Sequence, residues 1–320
     1  MRRCLISFAV VALCSGPVAA SADAYPARPV RFVLPFPAGS SSDLVARLLA
    51  PRLSERLGQN IVVENRPGAG GSIGANYVAK STPDGHTLLF LSGAFTAQAA
   101  SLKSLPYDAL RDFTWVSMAT TYPFAVVVKA DSAIQTVAQL IAAAKRNPGK
   151  LNYASVGTGS VFHLAGELFN VMTGTDMTHV PYKGGTEPIT ALIGGSIDVI
   201  FNTLTGVYPH IQANRARAIA VASLERAPQL PNVPTVAETL PGYEVTSFTG
   251  LAAPRGTPRA AVTRLNRELR AVLELPDVRK QLADVGGAVH PTSPEEMRRH
   301  VEAEIAKWKH IVEVKKIQVE

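Results

Sequence analysis

Two stretches of this chain, FVLPFPAGSSSDLVARLL at residues 32–49 and LNYASVGTGSVFHLAGELF at residues 151–169, repeat one pattern. An apolar, β-prone run enters a loop of Gly and hydroxyl residues, and a segment with helical periodicity follows. A strand that turns directly into a helix belongs to a parallel sheet, whose connections cross over as helices. It also places the unpaired N–H groups of a helical first turn at the carboxyl edge of the sheet, where open α/β sheets bind ligands. Such an edge attracts anions. No Lys follows either loop in P-loop register, which argues against a nucleotide site. One loop in each half of the chain predicts two α/β units with a cleft between them, suited to one small anion. Read alone, either loop is also compatible with an ordinary βα turn.

The remaining pattern agrees with an α/β fold. RPVRFVLPF reads as a strand and SSDLVARLLAPRLSERLG as a helix, with Ser42 as N-cap, Asp43 in the first turn and Gly58 at the stop. NIVVEN is the next strand, RPGAGGS a loop, IGANYVAKS a helix and HTLLFLS a third strand. The second half opens with the strand FAVVVKA and the helix TVAQLIAAAKRNPG. THVPY, SIDVIFN and ARAIAVAS are further short strands. APQLPNVPTVAETLPGYEV is Pro-rich and aperiodic, an irregular crossing segment. TSFTGLAAP is a strand, and two helices close the chain. Ser293, Pro294 and Glu296 open the last with a capping box, and Met297, Val301, Ile305, Trp308 and Val312 form its apolar stripe.

At 320 residues the chain is long enough for two units, and 47% hydrophobic against 18% charged residues suits a packed core rather than disorder. Arg2 and Arg3, the apolar run Leu5–Leu13 and the small-residue site Ala22-Asp23-Ala24 read as a secretory leader over residues 1–24. Cys14 does not make a lipoprotein signal, because Leu13 before it is large. Both cysteines, Cys4 and Cys14, lie in this leader, so the exported chain has no disulfide and depends on its core. Without Arg2, Arg3 and Asp23 it keeps 30 basic and 24 acidic residues, a net charge of about +6. The excess is spread out, with no basic run interleaved with aromatics, so a nucleic-acid partner is not expected.

Other constellations are weaker. Gly70-Gly71-Ser72-Ile73-Gly74 matches the nucleophile elbow of serine hydrolases, but RPGAG separates Ser72 from its strand and no HGG-type oxyanion loop is present. His163 and Glu167 stand four apart on a helix and can touch. No H-E-x-x-H and no cysteine cluster offers a metal set, so neither metal nor cofactor is expected.

An ordered series of motifs resembles the Bug-type extracytoplasmic solute receptors, the binding components of tripartite tricarboxylate transporters. It comprises YPARPVRFVLPFPAGSSSD, VENRPGAGGSIGA, PDGHTLL, YDALRDF, GKLNYASVGTGSVFHLAGELF, HVPYKGG, LIGGSIDVIF, LPNVPTVAE and GLAAPRGTP. Each is weak alone; the series spans nearly the whole exported chain. The resemblance implies a two-lobed periplasmic binding protein, a type II Venus flytrap with its ligand cleft between α/β lobes. One lobe is expected at residues 25–124 and 244–320, the other at 125–243. It implies no catalysis, a small carboxylate as ligand, permease subunits in the membrane as partners and a monomer in the periplasm. Ligands of the family include di- and tricarboxylates, acidic amino acids and aromatic acids. The match carries Phe36, Pro37, Ala38, Gly39 and Asp43 onto the first binding loop and Ser155, Gly157, Gly159, Ser160 and His163 onto the second; the hydroxyls of Ser40, Ser41 and Thr158 complete the two loops. Ser40 departs from the family, which usually has Gly there, and either narrows the cleft or adds a donor. His86 and Ala109 also depart, at peripheral positions. A two-lobed sensor for a membrane signalling partner, and a hydrolase built on Ser72, are the alternative readings.

Overall fold

The computed structural model describes residues 25–184, 186–317 and 319. The expected leader, residues 1–24, lies outside the described residues. The first half runs β1 (Val30–Leu34), α1 (Ser41–Leu57), β2 (Ile61–Asn65), α2 (Ser72–Ala79), β3 (Thr87–Ser92), α3 (Gly93–Ser101) and β4 (Phe113–Lys129). Then come α4 (Val137–Arg146), β5 (Asn152–Ser155), α5 (Val161–Thr173), β6 (Thr178–Pro181), α6 (Glu187–Ile193), β7 (Val199–Thr203), α7 (Leu204–Gln212) and β8 (Ala216–Val221). The chain closes with β9 (Thr246–Pro254), α8 (Arg259–Leu273), α9 (Pro276–Asp284), β10 (Ala288–Val289) and α10 (Pro294–Val314).

The strands run in the order β2-β1-β3-β9-β4-β7-β5-β6, with β8 and β10 also on β4. β1 pairs in parallel with β2 and β3, and β5 in parallel with β6 and β7. These two parallel groups are joined through the antiparallel strands β4 and β9. β4 serves both: residues up to Pro123 pair with β9, and from Phe124 onward the partners are β7 and β8. Proline has no N–H to give a ladder, and Pro123 stands where the partner changes. The seam is closed by Phe124, whose N–H donates to Val245 at 3.2 Å and whose carbonyl accepts from Ala222 at 2.7 Å.

β1 is buried along almost its whole length, as a strand covered on both faces must be. α1 and α8 cover one face of the first parallel group, packing Leu49, Leu53, Leu265 and Leu269 onto Phe32 and Phe90. α2, α3 and α10 cover the other, with Phe95, Trp115, Phe248, Met297 and Val301 in contact. In the second group α4 and α5 lie on one face and α6 and α7 on the other. α10 packs on both parallel groups: Met297, Val301 and Ile305 join the first core, and Trp308 and Ile311 join the core of α5.

Two local readings are corrected. The N-cap of α1 is Ser40, whose side chain accepts from the Asp43 N–H, and Ser42 is already inside the helix. Three helices, not two, follow β9, because Pro276 opens α9 between α8 and α10. Proline at a first helical position costs nothing, since its missing N–H would be unpaired there. The Ser293–Glu296 capping box is present as expected.

Trp308 is fully buried and donates its indole N–H to Glu304 at 3.1 Å. Replacing it with Ala removes a large side chain where α10 meets the second lobe and should cost about 3–5 kcal/mol of unfolding free energy. Urea titration of Trp308→Ala checks this; a loss below about 1 kcal/mol would show that α10 is not seated in that core.

Candidate functional site

A cavity of about 680 Å³ lies between the two parallel groups, against the seam of β4 and β9. Five helices begin at its wall. α1 contributes Ser40, Ser41 and Ser42; α2 contributes Ser72; α3 is preceded there by Ser92; α5 contributes Ser160, Val161 and Phe162; α7 contributes Thr203 and Thr205. Each helix start carries roughly half a positive elementary charge in its unpaired N–H groups. Among the described residues that line the cavity there is no Lys, Arg, His, Asp or Glu. Positive potential therefore comes from backbone, and polar contact from hydroxyls and one primary amide, Gln98. The apolar wall is supplied by Phe36, Phe124 and Phe162.

Of the residues expected from sequence, Phe36, Ser40, Ser41, Thr158, Gly159 and Ser160 line the cavity. Pro37, Ala38, Gly39, Asp43, Ser155, Gly157 and His163 are not among its lining residues. Asp43 lies behind the first loop and holds its shape. It accepts from the Gly39 N–H at 2.9 Å, from Arg47 Nε at 3.0 Å and from Asn65 at 2.9 Å, while Asn65 also donates to the Phe36 carbonyl at 3.0 Å. Burial alone would raise the Asp43 pKa; the hydrogen bonds from Arg47, Gly39 and Asn65 outweigh it and hold the carboxyl below its ordinary range.

The second loop is braced in the same way. Ser160 caps α5 by accepting from the His163 N–H at 3.3 Å, and its own proton goes to the Gly157 carbonyl at 2.6 Å. The hydroxyl is thus spent on the loop, and what faces the cavity is the first turn of α5. His163 Nδ1 accepts the Gly159 N–H at 3.0 Å, which places the ring proton on Nε2. The His163 ring stacks on His179 at 3.8 Å, and His179 Nε2 stands 2.6 Å from Ser155 Oγ. Ser155 Oγ also accepts the Gly157 N–H at 3.0 Å. His163 Nε2 is 3.9 Å from Glu167, whose shorter contacts are the Tyr153 hydroxyl at 2.5 Å and Lys315 at 2.9 Å.

Several lining residues escaped the sequence reading: Ser92, Gln98, Tyr122, Thr203, Thr205 and Val319. FLSGAF and FNTLTG carry the same strand–hydroxyl–helix signature as the two loops that were recognised, and that signal was available. Gln98 had no local signal. It lies over Gly70, and a Cβ on that glycine would come within 2.1 Å of its amide nitrogen. Tyr122 has its hydroxyl pushed up to about 12 by burial, so it stays a donor at neutral pH. Ser72 lines the cavity at the start of α2, but residues 66–71 separate it from β2, and among the described residues no imidazole or carboxylate lines the cavity beside it. No group of three His, Cys, Asp or Glu side chains among the described residues is placed to hold a metal ion. No helix among them is long and apolar enough to cross a membrane.

Comparison with known proteins agrees over nearly the whole chain. The sequence profile of the tripartite tricarboxylate transporter family receptor matches residues 45–317. The protein of the tcbD-tcbE intergenic region of Pseudomonas sp. (strain P51) is 40% identical over 313 residues, 97% of this chain and 93% of that one. The structure of R. palustris Rpa4515 with adipate superposes with a TM-score of 0.82 at 38% identity, covering 92% of this chain and 99% of that chain. MatC (Rpa3494) from Rhodopseudomonas palustris with bound malate gives 0.78 at 34% identity, covering 90% and 100%.

The two stacked imidazoles carry a pH dependence. Burial, reinforced by the charge of Lys315, lowers His163 to about 4; burial and the neighbouring His163, opposed by Glu167, lower His179 to about 4. In the unfolded chain each titrates near 6.5. The unfolded state therefore binds more protons between about pH 6.5 and 4, and the stability present at neutral pH is lost progressively as the pH falls through that window. The unfolding free energy in urea should drop across it. The double variant His163→Asn/His179→Gln, which retains hydrogen-bonding atoms near Nδ1 and Nε2, should show a flatter profile. An identical slope in both proteins would contradict the assignment.

Proposed function

The chain belongs to the tripartite tricarboxylate transporter receptor family, and on that premise we propose that it captures a small carboxylate in the periplasm and hands it to the permease subunits of such a transporter. One observation supports this reading: five helix starts surround a cavity that no charged side chain lines among the described residues. An anion gains about 0.3–1 kcal/mol from each helix start it meets, while each hydrogen bond to a charged group contributes about 1.5–3 kcal/mol. The hydrogen bonds dominate, so affinity depends on N–H groups and hydroxyls being aimed rather than on net charge.

The neutral wall also suits a ligand with an apolar body. Rpa4515 is described with adipate and MatC with malate, both dicarboxylates, and a cavity of about 680 Å³ admits acids of that size. In this reading Phe36, Ser40, Ser41, Thr158, Gly159 and the first turn of α5 meet the ligand. Pro37, Ala38 and Gly39 shape the first loop, while Asp43, Ser155, Gly157 and His163 hold the two loops in place. Ser40 supplies the cap of α1 as well as a cavity hydroxyl. Residues 25–124 with 244–320 form one lobe and 125–243 the other, with the hinge in the seam at Pro123–Phe124 and α10 packed on both. Residues 1–24 direct export and are removed; the receptor is monomeric and takes no part in catalysis.

Native mass spectrometry of the purified protein identifies the acid that it carries, and calorimetry then compares this acid with its primary amide. The acid should bind at least about tenfold more tightly, the loss of one charge-assisted hydrogen bond. Equal affinity would remove the basis for a carboxylate receptor.

A further inference from the structure

The chain turns back after α10. Lys316 adopts φ +50°, the left-handed region that a non-glycine residue seldom takes. The N–H groups of Lys315, Lys316 and Ile317 donate to the carbonyls of Ile311, Glu313 and Val312 at 3.0, 3.2 and 2.9 Å. The turn is thus held at the expense of an unfavourable backbone conformation, and it redirects the chain toward the cleft. Lys315 meets buried Glu167 of α5 at 2.9 Å, and Ile317 packs against the core that contains α5. Val319 then lines the cavity and forms an isolated parallel bridge with Leu102 at the end of α3.

Three elements meet at Gly159. A Cβ placed there would lie 2.7 Å from Val319 Cγ2 and 2.7 Å from Ser101 Oγ. Gly159 has φ +78°, and its carbonyl accepts from Ser101 Oγ at 3.4 Å. Glycine is required on both counts, and its bare backbone lets the end of α3 and the segment after α10 close onto the second binding loop.

We propose that Lys315, Lys316, Ile317 and Val319 belong to a strap across one flank of the cavity, with Val319 a wall residue of the ligand site and its seat shared between Leu102 of one lobe and Gly159 of the other. The inference rests on the cavity being the ligand site. The strap is anchored on the second lobe through Lys315 and Ile317. Among the described residues its backbone bridge to the first lobe is Leu102–Val319, so Val319 can lift from Leu102 while the anchors of Lys315 and Ile317 stay in place. Lifting it opens the flank beside Ser101, whereas seating it retains what the cavity holds.

The test needs no ligand. Both cysteines of the chain lie within residues 1–24, so the exported protein supplies a cysteine-free background for Ser101→Cys, a near-isosteric thiol at a position only 6% exposed. With the strap intact, iodoacetamide should alkylate this thiol at least tenfold more slowly than a free cysteine peptide. Val319→Gly, and separately truncation after Lys316, should each speed alkylation at least fivefold while the circular-dichroism melt stays within a few degrees. Alkylation at the free-peptide rate with the strap intact, or an unchanged rate in both altered chains, would overturn the proposal. Because no acid is added, such a failure is distinguishable from a failure of the carboxylate reading, which the comparison of acid and amide decides.

Discussion

The first-turn N–H groups of an α-helix have no partner inside their own helix, and something outside must accept from them. In this protein five helices begin around one cavity, and side chains cap only two of them. Ser40 and Ser160 cap α1 and α5, whereas α2, α3 and α7 have no side-chain cap at all. The parallel strands deliver their helices to a common edge, β4 and β9 bring the two edges face to face, and the braces behind each loop keep the N–H groups aimed. Among the described residues no charged side chain stands in the wall, so on the carboxylate reading selection for a negative ligand falls on backbone geometry. A small distortion of a loop therefore matters more than the loss of any single surface charge.

This dependence explains where the protein places its buried polar groups. Asp43 and His163 are not among the cavity's lining residues, yet each accepts a backbone N–H from one of the two loops beside it, from Gly39 and Gly159 respectively. A buried carboxylate and a buried imidazole are costly unless paired. Asp43 is tied to Arg47 and Asn65, and His163 is stacked on His179 and kept neutral. The two loops thus use different chemistry for one mechanical task. The first is fixed by an ion pair that reaches the surface, the second by uncharged rings and a serine.

The fold class and the two strand–loop–helix turns at the cavity were legible because they rest on periodicity and on Gly and Ser at strand ends. The capping box at Ser293 was legible because a cap is a local event. Ser40 and Ser42 could not be told apart as the cap of α1, since three consecutive serines satisfy the same rule and only backbone geometry selects Ser40. α3 was missed because GAFTAQAAS is made largely of small residues with little apolar periodicity, and its helical state depends on packing against α10 and β9. Gln98 and Val319 reach the cavity only through contacts distant in sequence, over Gly70 and beside Leu102. Of the residues carried over from the family motif, some line the cavity and others lie behind it, because spacing alone does not say which side of a loop faces a cavity.

Whether backbone and hydroxyl donors hold an ionised carboxylate can be measured directly on the complex. The acid that co-purifies with the protein is prepared with ¹³C at its carboxyl carbons, and the bound resonances are followed as the pH is lowered. Donors aimed at the charged form should depress the pKa of the held carboxyl below its value in free solution. A bound carboxyl that titrates above the free value would mean that the cavity takes the neutral acid, and would contradict the account.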